Sequence, residues 1–467
     1  MRPLKDLRPY QKKCIYSMLK NDNLGLFIGI GLGKTVISLL TVRRLLELKK
    51  IKRVLIVGPI KVIENVWMQE AKDWEYINDL SFTILRGKDK DKNFRKDVDI
   101  HLINYEGMLR LCKKLNVYKR NKKPFPYDVI ILDESTKIKS NQTGKLSKRF
   151  KGFKTLFKLF KRRYILTATP TPEHLINIWS QMFVLDLGEA LGTSLSDFKL
   201  EHFNEPRPYI VLPRKGAFAF VQNAIKGKTI RLKSEDYISM PEYVDHNIKI
   251  EFPKNILEQY EALEKEFFLE FEGGEVEALN SASLSIKLRQ FIQGSIYLSF
   301  EDKKKRVTQF VHDLKIKAIR EVYETTDENF LVAIQFRFEL EMLKKEFGQD
   351  IPFIAGGVKS REASKHIINW NKGKIRMLFC HPQSMSEGLN LQKGGHSAIW
   401  YGFPWSYYYY DQFNGRIRRS GQESKFVKRI HIYVENTIDE IMMKSWSDKD
   451  ANQEKLLKNL RSYISSK

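Results

Sequence analysis

The clearest chemical signal lies near the N-terminus, where glycines precede a lysine and a threonine. Residues 27–35 read Phe-Ile-Gly-Ile-Gly-Leu-Gly-Lys-Thr, after an apolar run and before a helical pattern. Glycines let backbone N–H groups approach phosphate oxygens, and the N-terminus of the following helix adds positive potential. We expect Lys34 to reach the terminal phosphates and the Thr35 hydroxyl to bind Mg²⁺. The pattern predicts a phosphate-binding loop formed by Gly31, Gly33, Lys34 and Thr35.

This loop departs from the strict P-loop pattern at one position. The strict pattern G-x-x-x-x-G-K-[ST] has a glycine where this chain has Ile28. A glycine-rich turn without a ligand therefore stays an alternative for this segment.

Two adjacent carboxylates form a second candidate site about a hundred residues later. Asp133 and Glu134 directly follow the apolar run Val129–Leu132. Parallel sheets place ligands at the carboxyl ends of such buried strands. We expect Asp133 to hold Mg²⁺ and Glu134 to orient and deprotonate an attacking water. Solvated acids at a strand end are the alternative, which the phosphate loop upstream makes weaker.

Two further patterns could couple to that chemistry. Thr167 and Thr169 end the next apolar run, where short hydroxyls can link a nucleotide site to neighbouring loops, although a threonine-capped turn also fits. Arg416 and Arg419 are three residues apart, so on a helix they would share a face. Arginine can clamp phosphoryl oxygens in two-pronged fashion. A surface basic helix is the alternative for this pair.

The elements that must position these residues follow an alternating pattern. Short apolar runs alternate with helical stretches such as Val36–Leu48 and Ile60–Trp74, which predicts α/β architecture with parallel sheets. The segment Pro253–Leu298 has a helical pattern, and the basic stretch Lys145–Arg163 is predicted to be an exposed helix. The predicted strands are Leu24–Ile28, Val54–Val57, Ile100–Ile103, Val129–Leu132, Tyr164–Leu166, Phe330–Ile334, Phe353–Ile354, Met377–Phe379, Ala398–Tyr401 and Arg429–Val434.

Composition limits the possible partners. The chain has 81 Lys and Arg against 56 Asp and Glu, a net charge of +25, which favours a polyanionic partner such as nucleic acid. Its three cysteines are widely spaced, so neither a disulfide framework nor a zinc site is expected. No apolar run approaches the ~18 residues of a membrane span. These features predict a cytoplasmic protein without a membrane partner, and a bacterial or phage-infected host cytosol is our expectation.

Taken together and in this order, the motifs resemble those of superfamily-two helicases, and within them the Swi/Snf-type ATPases. The resemblance covers roughly Leu7 to Glu440 and is similar to the compact branch encoded by phages and bacteria. Its motifs are the segment Leu7–Gln11, the phosphate loop, Pro59 with Trp67, Asp133–Thr136, Leu166–Pro170, Phe330–Phe338, Leu288–Gln290 with Gly294, Ser384–Leu391 and Trp405–Gln422.

The resemblance implies an architecture and a set of roles. It implies two RecA-like parallel-sheet lobes with a helical insertion between them: a first lobe over 1–240, a helical connector over 241–300 and a second lobe over 301–467. Nucleotide contacts are implied for Gln11, Gly388 and Gln412, in addition to the phosphate loop. Catalytic roles are implied for Lys34, Asp133, Glu134, Arg416 and Arg419. Contacts to nucleic acid, or coupling to it, are implied for Pro59, Trp67, Thr167, Thr169, Asn390 and Trp405.

Three functional hypotheses follow. The first is a DNA-stimulated ATPase that uses ATP and Mg²⁺ to translocate on duplex DNA, with acids from one lobe and arginines from the other acting on the same triphosphate. The second is a motor that separates strands of DNA or RNA. The third is a nucleic-acid-binding scaffold that does not hydrolyse ATP. The aromatic run Tyr407–Tyr410 could stack on bases, but packing against neighbouring elements is the preferred interpretation.

Overall fold

The structure is a computed structural model with side chains. It describes residues 1–138, 146–171, 174–207, 210–272, 286–298, 307–356, 358, 360–385 and 389–448, and in the last stretch 455–456, 459–460 and 462–463. The chain divides into two compact units, Met1–Ser239 and Met240–Lys467. The segment predicted as a separate connector falls within the second unit, so the three-part division stays a prediction.

A seven-stranded sheet, counted over the described residues, forms the centre of the first unit. All of its strands run parallel, in the order β3-β4-β2-β5-β6-β1-β9. The strands are β1 (Asn23–Ile28), β2 (Val54–Gly58), β3 (Phe82–Ile84), β4 (Ile100–Asn104), β5 (Val129–Asp133), β6 (Arg162–Thr167) and β9 (Thr229–Leu232). A separate antiparallel hairpin consists of β7 (Phe203–Arg207) and β8 (Ile210–Pro213).

The strand order brings the candidate motifs to one edge of this sheet. β5, β6 and β1 are neighbours, and Phe27 pairs with Thr167 while Asp133 pairs with Leu166. Their carboxyl ends are therefore level, and the phosphate loop, the acidic pair and the threonine segment all leave the sheet there. The helices of this unit are α1 (Pro9–Lys20), α2 (Lys34–Glu47), α3 (Ile60–Asn65), α4 (Trp67–Asp73), α5 (Lys90–Phe94), α6 (Met108–Arg120), α7 (Lys148–Phe153), α8 (Ile178–Asp186), α9 (Leu195–His202) and α10 (Ala217–Ala224).

The second unit contains a six-stranded parallel sheet within its described part. The strand order is β10-β17-β16-β13-β15-β14. The strands are β10 (Glu242–Ile250), β13 (Phe330–Ala333), β14 (Phe353–Ile354), β15 (Met377–Cys380), β16 (Ser397–Trp400) and β17 (Phe426–Val434), and β11 (Ser295–Leu298) and β12 (Val307–Phe310) form an antiparallel hairpin. The helices are α11 (Lys254–Glu272), α12 (286–292), α13 (Leu314–Thr325), α14 (Arg337–Phe347), α15 (Ser360–Asn371), α16 (Pro382–Met385), α17 (Tyr407–Asn414) and α18 (Ile438–Ser447).

Two helical predictions need correction. The segment Pro253–Leu298 does begin with helix, but it ends in strand β11, since Ser295–Leu298 pairs with β12. The stretch Lys145–Arg163, of which Lys145 lies outside the described residues, is not one exposed helix. It contains the short α7, a 3-10 turn at Phe157–Leu159 and the start of β6. Its phenylalanines are buried in the core of the first unit, and this burial determines the path of the segment.

Candidate active site

The phosphate loop joins β1 to α2 through two glycines with left-handed backbones. Gly31 has φ of 82° and Gly33 has φ of 81°, a region that residues with a Cβ atom rarely adopt. Gly33 caps the N-terminus of α2, and a Cβ atom there would lie 2.5 Å from the Gln11 Nε2 atom. Ile28, in contrast, is the last residue of β1 and its side chain is buried in the core. The departure from the strict pattern therefore falls in a strand, where no glycine is required.

Lys34 extends back across this loop from the first turn of α2. Its Nζ atom donates hydrogen bonds to the backbone oxygens of Ile28, at 2.9 Å, and Gly29, at 3.2 Å. The ammonium group thus lies within the curve of the loop at the N-terminus of a fourteen-residue helix. A positive side chain, a positive helix end and glycine backbone form a site that suits phosphate groups. Thr35 is the second residue of the same helix, and its role with Mg²⁺ stays a prediction.

Gln11 ties α1 to the phosphate loop. Its Oε1 atom accepts a hydrogen bond from the Arg8 backbone N–H at 3.0 Å, and its Nε2 atom donates to the Leu32 oxygen at 3.3 Å. The Tyr10 hydroxyl donates to the same Leu32 oxygen at 3.2 Å. Gln11, a predicted nucleotide contact, therefore lies directly against the loop that would hold the phosphates.

Asp133 is a buried acid whose proton affinity is strongly changed. It is 6% exposed at the end of β5, and its Oδ2 atom accepts a hydrogen bond from the Trp67 indole N–H at 3.1 Å. Burial, followed by the neighbouring charge of Glu134, raises the pKa of Asp133 to about 7, while Lys34 and the Trp67 bond act in the opposite direction. The carboxylate form therefore depends on nearby cations and donors.

Trp67 lies beside the acid and away from the surface. We expected contact with nucleic acid or coupling to it, but the side chain has 0% exposure and its indole N–H donates to Asp133. A fully buried ring cannot contact a nucleic acid directly, so only the coupling role stays a prediction for Trp67. Pro59, which caps the N-terminus of α3 directly after β2, is also buried, and its role stays a prediction.

Glu134 has a strained backbone. Its φ of 52° lies in the left-handed region, which costs about 1 kcal/mol or more for a residue with a side chain. The Tyr105 hydroxyl is within hydrogen-bonding distance of the Asp133 oxygen, at 2.9 Å, and the Glu134 oxygen, at 3.2 Å. Strain that the surrounding structure maintains is typical of functional sites, and here it sets the direction in which the chain leaves β5.

Gln181 is a connecting residue that sequence reasoning missed. The Ser135 hydroxyl donates to the Gln181 Oε1 atom at 2.7 Å, and the Gln181 Nε2 atom donates to the Pro170 oxygen at 2.6 Å. Within the second segment, the Thr169 N–H donates to the Thr167 hydroxyl at 3.2 Å. This chain of bonds links the acidic pair to the threonine segment. A buried glutamine in the mostly apolar helix α8 was the signal available in the sequence.

In the second unit, Arg416 and Arg419 converge on one backbone oxygen. The Nη1 atoms of both donate to the Leu389 oxygen, at 3.3 and 3.1 Å. Arg416, which is 3% exposed, also donates to Gln412 Oε1 at 2.7 Å, and Arg419 donates to Asn390 Oδ1 at 2.5 Å. The arginine motif and the segment at 389–390 are therefore one assembly. Gly388, a predicted nucleotide contact, lies outside the described residues.

The expectation that both arginines lie on a helix is wrong. Helix α17 ends at Asn414, and residues 415–420 form a succession of turns. The N–H groups of Arg416 and Ile417 bond to carbonyls three residues earlier, which tightens the backbone after Gly415. The two guanidinium groups share a direction because they bind the same carbonyl, and not because of helical spacing. We call residues 415–420 the arginine turn.

The aromatic residues around this turn serve mainly as packing. Tyr410 is 1% exposed, stacks on Trp400 at 4.5 Å between ring centroids, and its hydroxyl is 2.8 Å from His431 Nε2. The packing interpretation of Tyr410 is therefore confirmed. Trp405 is half-buried against the same core, and its proposed coupling role stays a prediction.

The donor set of the first unit suits Mg²⁺. The ion prefers hard oxygen ligands and is usually coordinated by few protein groups, and water and phosphate oxygens complete its coordination shell. The Thr35 hydroxyl and the Asp133 carboxylate supply such oxygens, and the raised pKa of Asp133 marks a place where a cation would favour the ionised form. The residues present therefore fit the ion, and those two would hold it.

A parallel sheet with a phosphate loop, an acidic pair and a threonine segment at one edge defines a P-loop nucleoside triphosphatase. The comparisons then give the family. The model for the SNF2-related domain matches residues 10–295, and that for the helicase conserved C-terminal domain matches 314–421. The chain belongs to the SNF2-related family of helicase-type ATPases, as the motif resemblance predicted, and its architecture of two parallel-sheet α/β lobes is confirmed.

Similar proteins come from phages, bacteria and archaea. The chain is 30% identical to protein p41 of Acyrthosiphon pisum secondary endosymbiont phage 1, over 97% of this chain and 98% of that protein. It is 22% identical to the uncharacterized ATP-dependent helicase YqhH of Bacillus subtilis (strain 168), over 89% and 72%. The Sulfolobus solfataricus SWI2/SNF2 ATPase core in complex with dsDNA is 21% identical, covering 95% of this chain and 91% of that chain, with a TM-score of 0.42. Among the described helices, none is long and apolar enough to span a membrane.

Proposed function

We propose that this protein is a DNA-stimulated ATPase that uses ATP hydrolysis to translocate along duplex DNA. The observation that carries the proposal is the shared sheet edge. There the Lys34 ammonium and the α2 N-terminus follow β1, and the acidic pair follows β5, with β6 between the two strands. Phosphate-binding and carboxylate groups at one edge are the parts that phosphoryl transfer to water requires.

The first unit would bind ATP and prepare the attacking water. Lys34 and the backbone of the loop would hold the phosphates, and Gln11 would contact the nucleobase. Glu134 would orient the water and accept its proton as the oxygen–phosphorus bond forms, while the γ-phosphate leaves ADP. Bound Mg²⁺ would neutralise charge on the phosphate oxygens. Asp133, whose ionised form Trp67 and Lys34 favour, is the residue that would hold it.

The second unit would supply the arginines. Arg416 and Arg419 are presented from one turn with their guanidinium groups about one carbonyl oxygen. We propose that they neutralise charge on the transferring phosphoryl group, a contribution worth about 10³–10⁵ in rate for inserted arginines. Gln412 holds Arg416 in place, so its contribution would be indirect.

The nucleic-acid partner is proposed on charge and family. A surplus of 25 positive charges favours a phosphate backbone, and contacts to that backbone depend on salt and little on sequence. Duplex DNA is our first choice, because the motifs are of the Swi/Snf type. A strand-separating helicase remains the second candidate that the experiment must distinguish.

The test is ATP turnover of the full chain with duplex DNA, single-stranded DNA or RNA at two salt concentrations. We expect duplex DNA to stimulate ATP turnover more than single-stranded DNA or RNA does. In separate assays, we expect the protein to displace the third strand of a triplex and not to unwind a plain duplex. Lys34→Ala and Glu134→Gln should abolish turnover without unfolding the protein. Lys148→Ala is a matched control, because Lys148 is also the first residue of a helix. Full turnover in both site variants would overturn the proposal, and unwinding would favour the helicase.

A further inference from the structure

The chain enters the second unit at Met240, and side chains from elsewhere in that unit hold its first residues. The Pro241 oxygen accepts a hydrogen bond from the Arg418 Nε–H at 2.7 Å. The guanidinium carbon of Arg418 also lies 4.5 Å from the centre of the Tyr243 ring. One arginine therefore holds both the backbone and a side chain within four residues of the boundary between the units.

A second arginine provides the fixed part of this arrangement. Arg429 lies 4.0 Å from the centre of the same Tyr243 ring and binds both carboxylate oxygens of Asp245, at 2.6 and 2.7 Å. Arg429 and Asp245 are register partners in the paired strands β17 and β10. A strand pair of the sheet cannot easily shift, so this contact fixes the later part of β10.

Arg418 differs because it belongs to the arginine turn. It lies between Arg416 and Arg419, whose guanidinium groups bind the Leu389 oxygen, and its own N–H bonds to the Asn414 oxygen at 3.0 Å. The same short turn therefore presents two arginines to the segment at 389–390 and a third to the first residues of the unit.

We propose that Arg418 is a positioning residue that couples the state of the arginine turn to the chain segment 240–243. The inference rests on the proposed function, in which Arg416 and Arg419 respond to the nucleotide. When these two exchange the Leu389 oxygen for phosphoryl oxygens, the backbone of the turn moves and carries Arg418 with it. Because Arg418 is bonded to the Pro241 oxygen, its movement shifts the backbone of segment 240–243. Each nucleotide state therefore gives this segment a different position.

The test compares Arg418→Met with Arg376→Met. Arg376 is a matched control, because it also donates to backbone oxygens, those of Tyr323 and Thr326, and lies 3.9 Å from a tyrosine ring in the same unit. In Arg418→Met, we expect KM for ATP and basal turnover to stay within about twofold of the unsubstituted protein, and DNA-stimulated kcat to fall about tenfold. Arg376→Met should keep its stimulation.

Three further variants separate coupling from a loss of folding. Tyr243→Leu should reproduce the loss of stimulation, and the double variant with Arg418→Met should be no worse than either single variant, because both remove one pathway. Tyr243→Phe keeps the ring and Arg418→Lys keeps the charge, so each should retain part of the stimulation.

Hydrogen exchange gives a readout that does not depend on turnover. In the unsubstituted protein, a non-hydrolysable ATP analogue should change exchange at the amides of residues 240, 242 and 243, and in Arg418→Met it should not. Equal loss of basal and stimulated turnover, unchanged stimulation, or an unchanged exchange response in Arg418→Met would overturn the inference while the proposed function stands. Absence of DNA-stimulated turnover in the unsubstituted protein would instead overturn the proposed function.

Discussion

The hydrogen bond from Trp67 to Asp133 offers a sharp test of how the first unit maintains its acid. Trp67→Phe keeps an aromatic ring in the core and removes the indole N–H that Asp133 Oδ2 accepts at 3.1 Å. Trp74→Phe is a matched control. Trp74 is also buried and donates at 3.1 Å to a carboxylate, but its acceptor Glu70 is half-buried, so water can replace the lost donor.

The expected magnitudes follow from these environments. Both substitutions remove part of a ring, which costs less than the about 3–5 kcal/mol typical of full truncation to alanine. Trp67→Phe also removes a bond to a buried acid, worth about 1.5–3 kcal/mol when the acid is ionised and about 1 kcal/mol when it is neutral. We therefore expect Trp67→Phe to cost about 1–2 kcal/mol more than Trp74→Phe at neutral pH or above.

The difference should depend on pH in a known direction. Asp133 has a pKa of about 7, raised from its ordinary value by burial, so its favourable protonated state is lost as pH rises through 7. Removing Trp67 takes away a group that lowers this pKa, and the ionised acid becomes still less favourable. The extra cost of Trp67→Phe should therefore be larger at about pH 8.5 than at about pH 5, by roughly 1 kcal/mol.

The assay is native-state hydrogen exchange at the amides of β5, corrected for the intrinsic exchange rate at each pH. It reports the free energy of opening of the strand that carries Asp133. Equal costs for Trp67→Phe and Trp74→Phe, or an extra cost that shrinks as pH rises, would refute the view that Trp67 supports an ionisable acid.

Two further predictions concern backbone strain and a buried acid. Gly33→Ala should weaken binding of an ATP analogue and lower the melting temperature more than Gly192→Ala does. Both glycines have φ near +80°, but of the two only Gly33 has a neighbour, Gln11, in the path of a Cβ atom. Equal effects of the two substitutions would argue against this contact. Burial raises the pKa of Glu339 to about 8, so its stabilising protonated form is lost as pH rises through 8. Glu339→Gln should therefore reduce the fall in stability between about pH 5 and about pH 9 in urea unfolding, and an unchanged fall would contradict the role of burial.

The central strands could be predicted because burial leaves a simple pattern. β5 and β13 have neighbours on both sides and are buried throughout, so they read as continuous apolar runs. Three of the missed strands, β3, β9 and β10, are edge strands of the two parallel sheets. Most residues of β10 are exposed, and many of them are charged or polar. A search for apolar runs therefore does not detect this strand.

At the site, residue types and spacing were predictable, but their partners were not. The glycines, Lys34 and the acidic pair stand at a spacing that few other structures require. The bond from Trp67 to Asp133 and the bridge through Gln181 depend on contacts 66 and 46 residues apart in the sequence, which no local pattern encodes. The arginine turn was misread for a related reason. Spacing of three residues fits a helix, but α17 ends at Asn414 and both arginines bind the Leu389 carbonyl from a turn.

Each cation proposed to act on the nucleotide is bonded to a backbone oxygen of its own unit. Lys34 donates to the oxygens of Ile28 and Gly29, and Arg416 and Arg419 donate to that of Leu389. These neutral acceptors hold the charged groups in defined positions, so little side-chain freedom remains to be lost when a ligand binds. Phosphate oxygens are stronger acceptors because the bond is then between opposite charges. If the nucleotide binds as proposed, exchange of carbonyl oxygens for phosphate oxygens would favour the bound state. The same exchange would require the loop and the arginine turn to move, and a translocating ATPase needs such a movement on binding ATP.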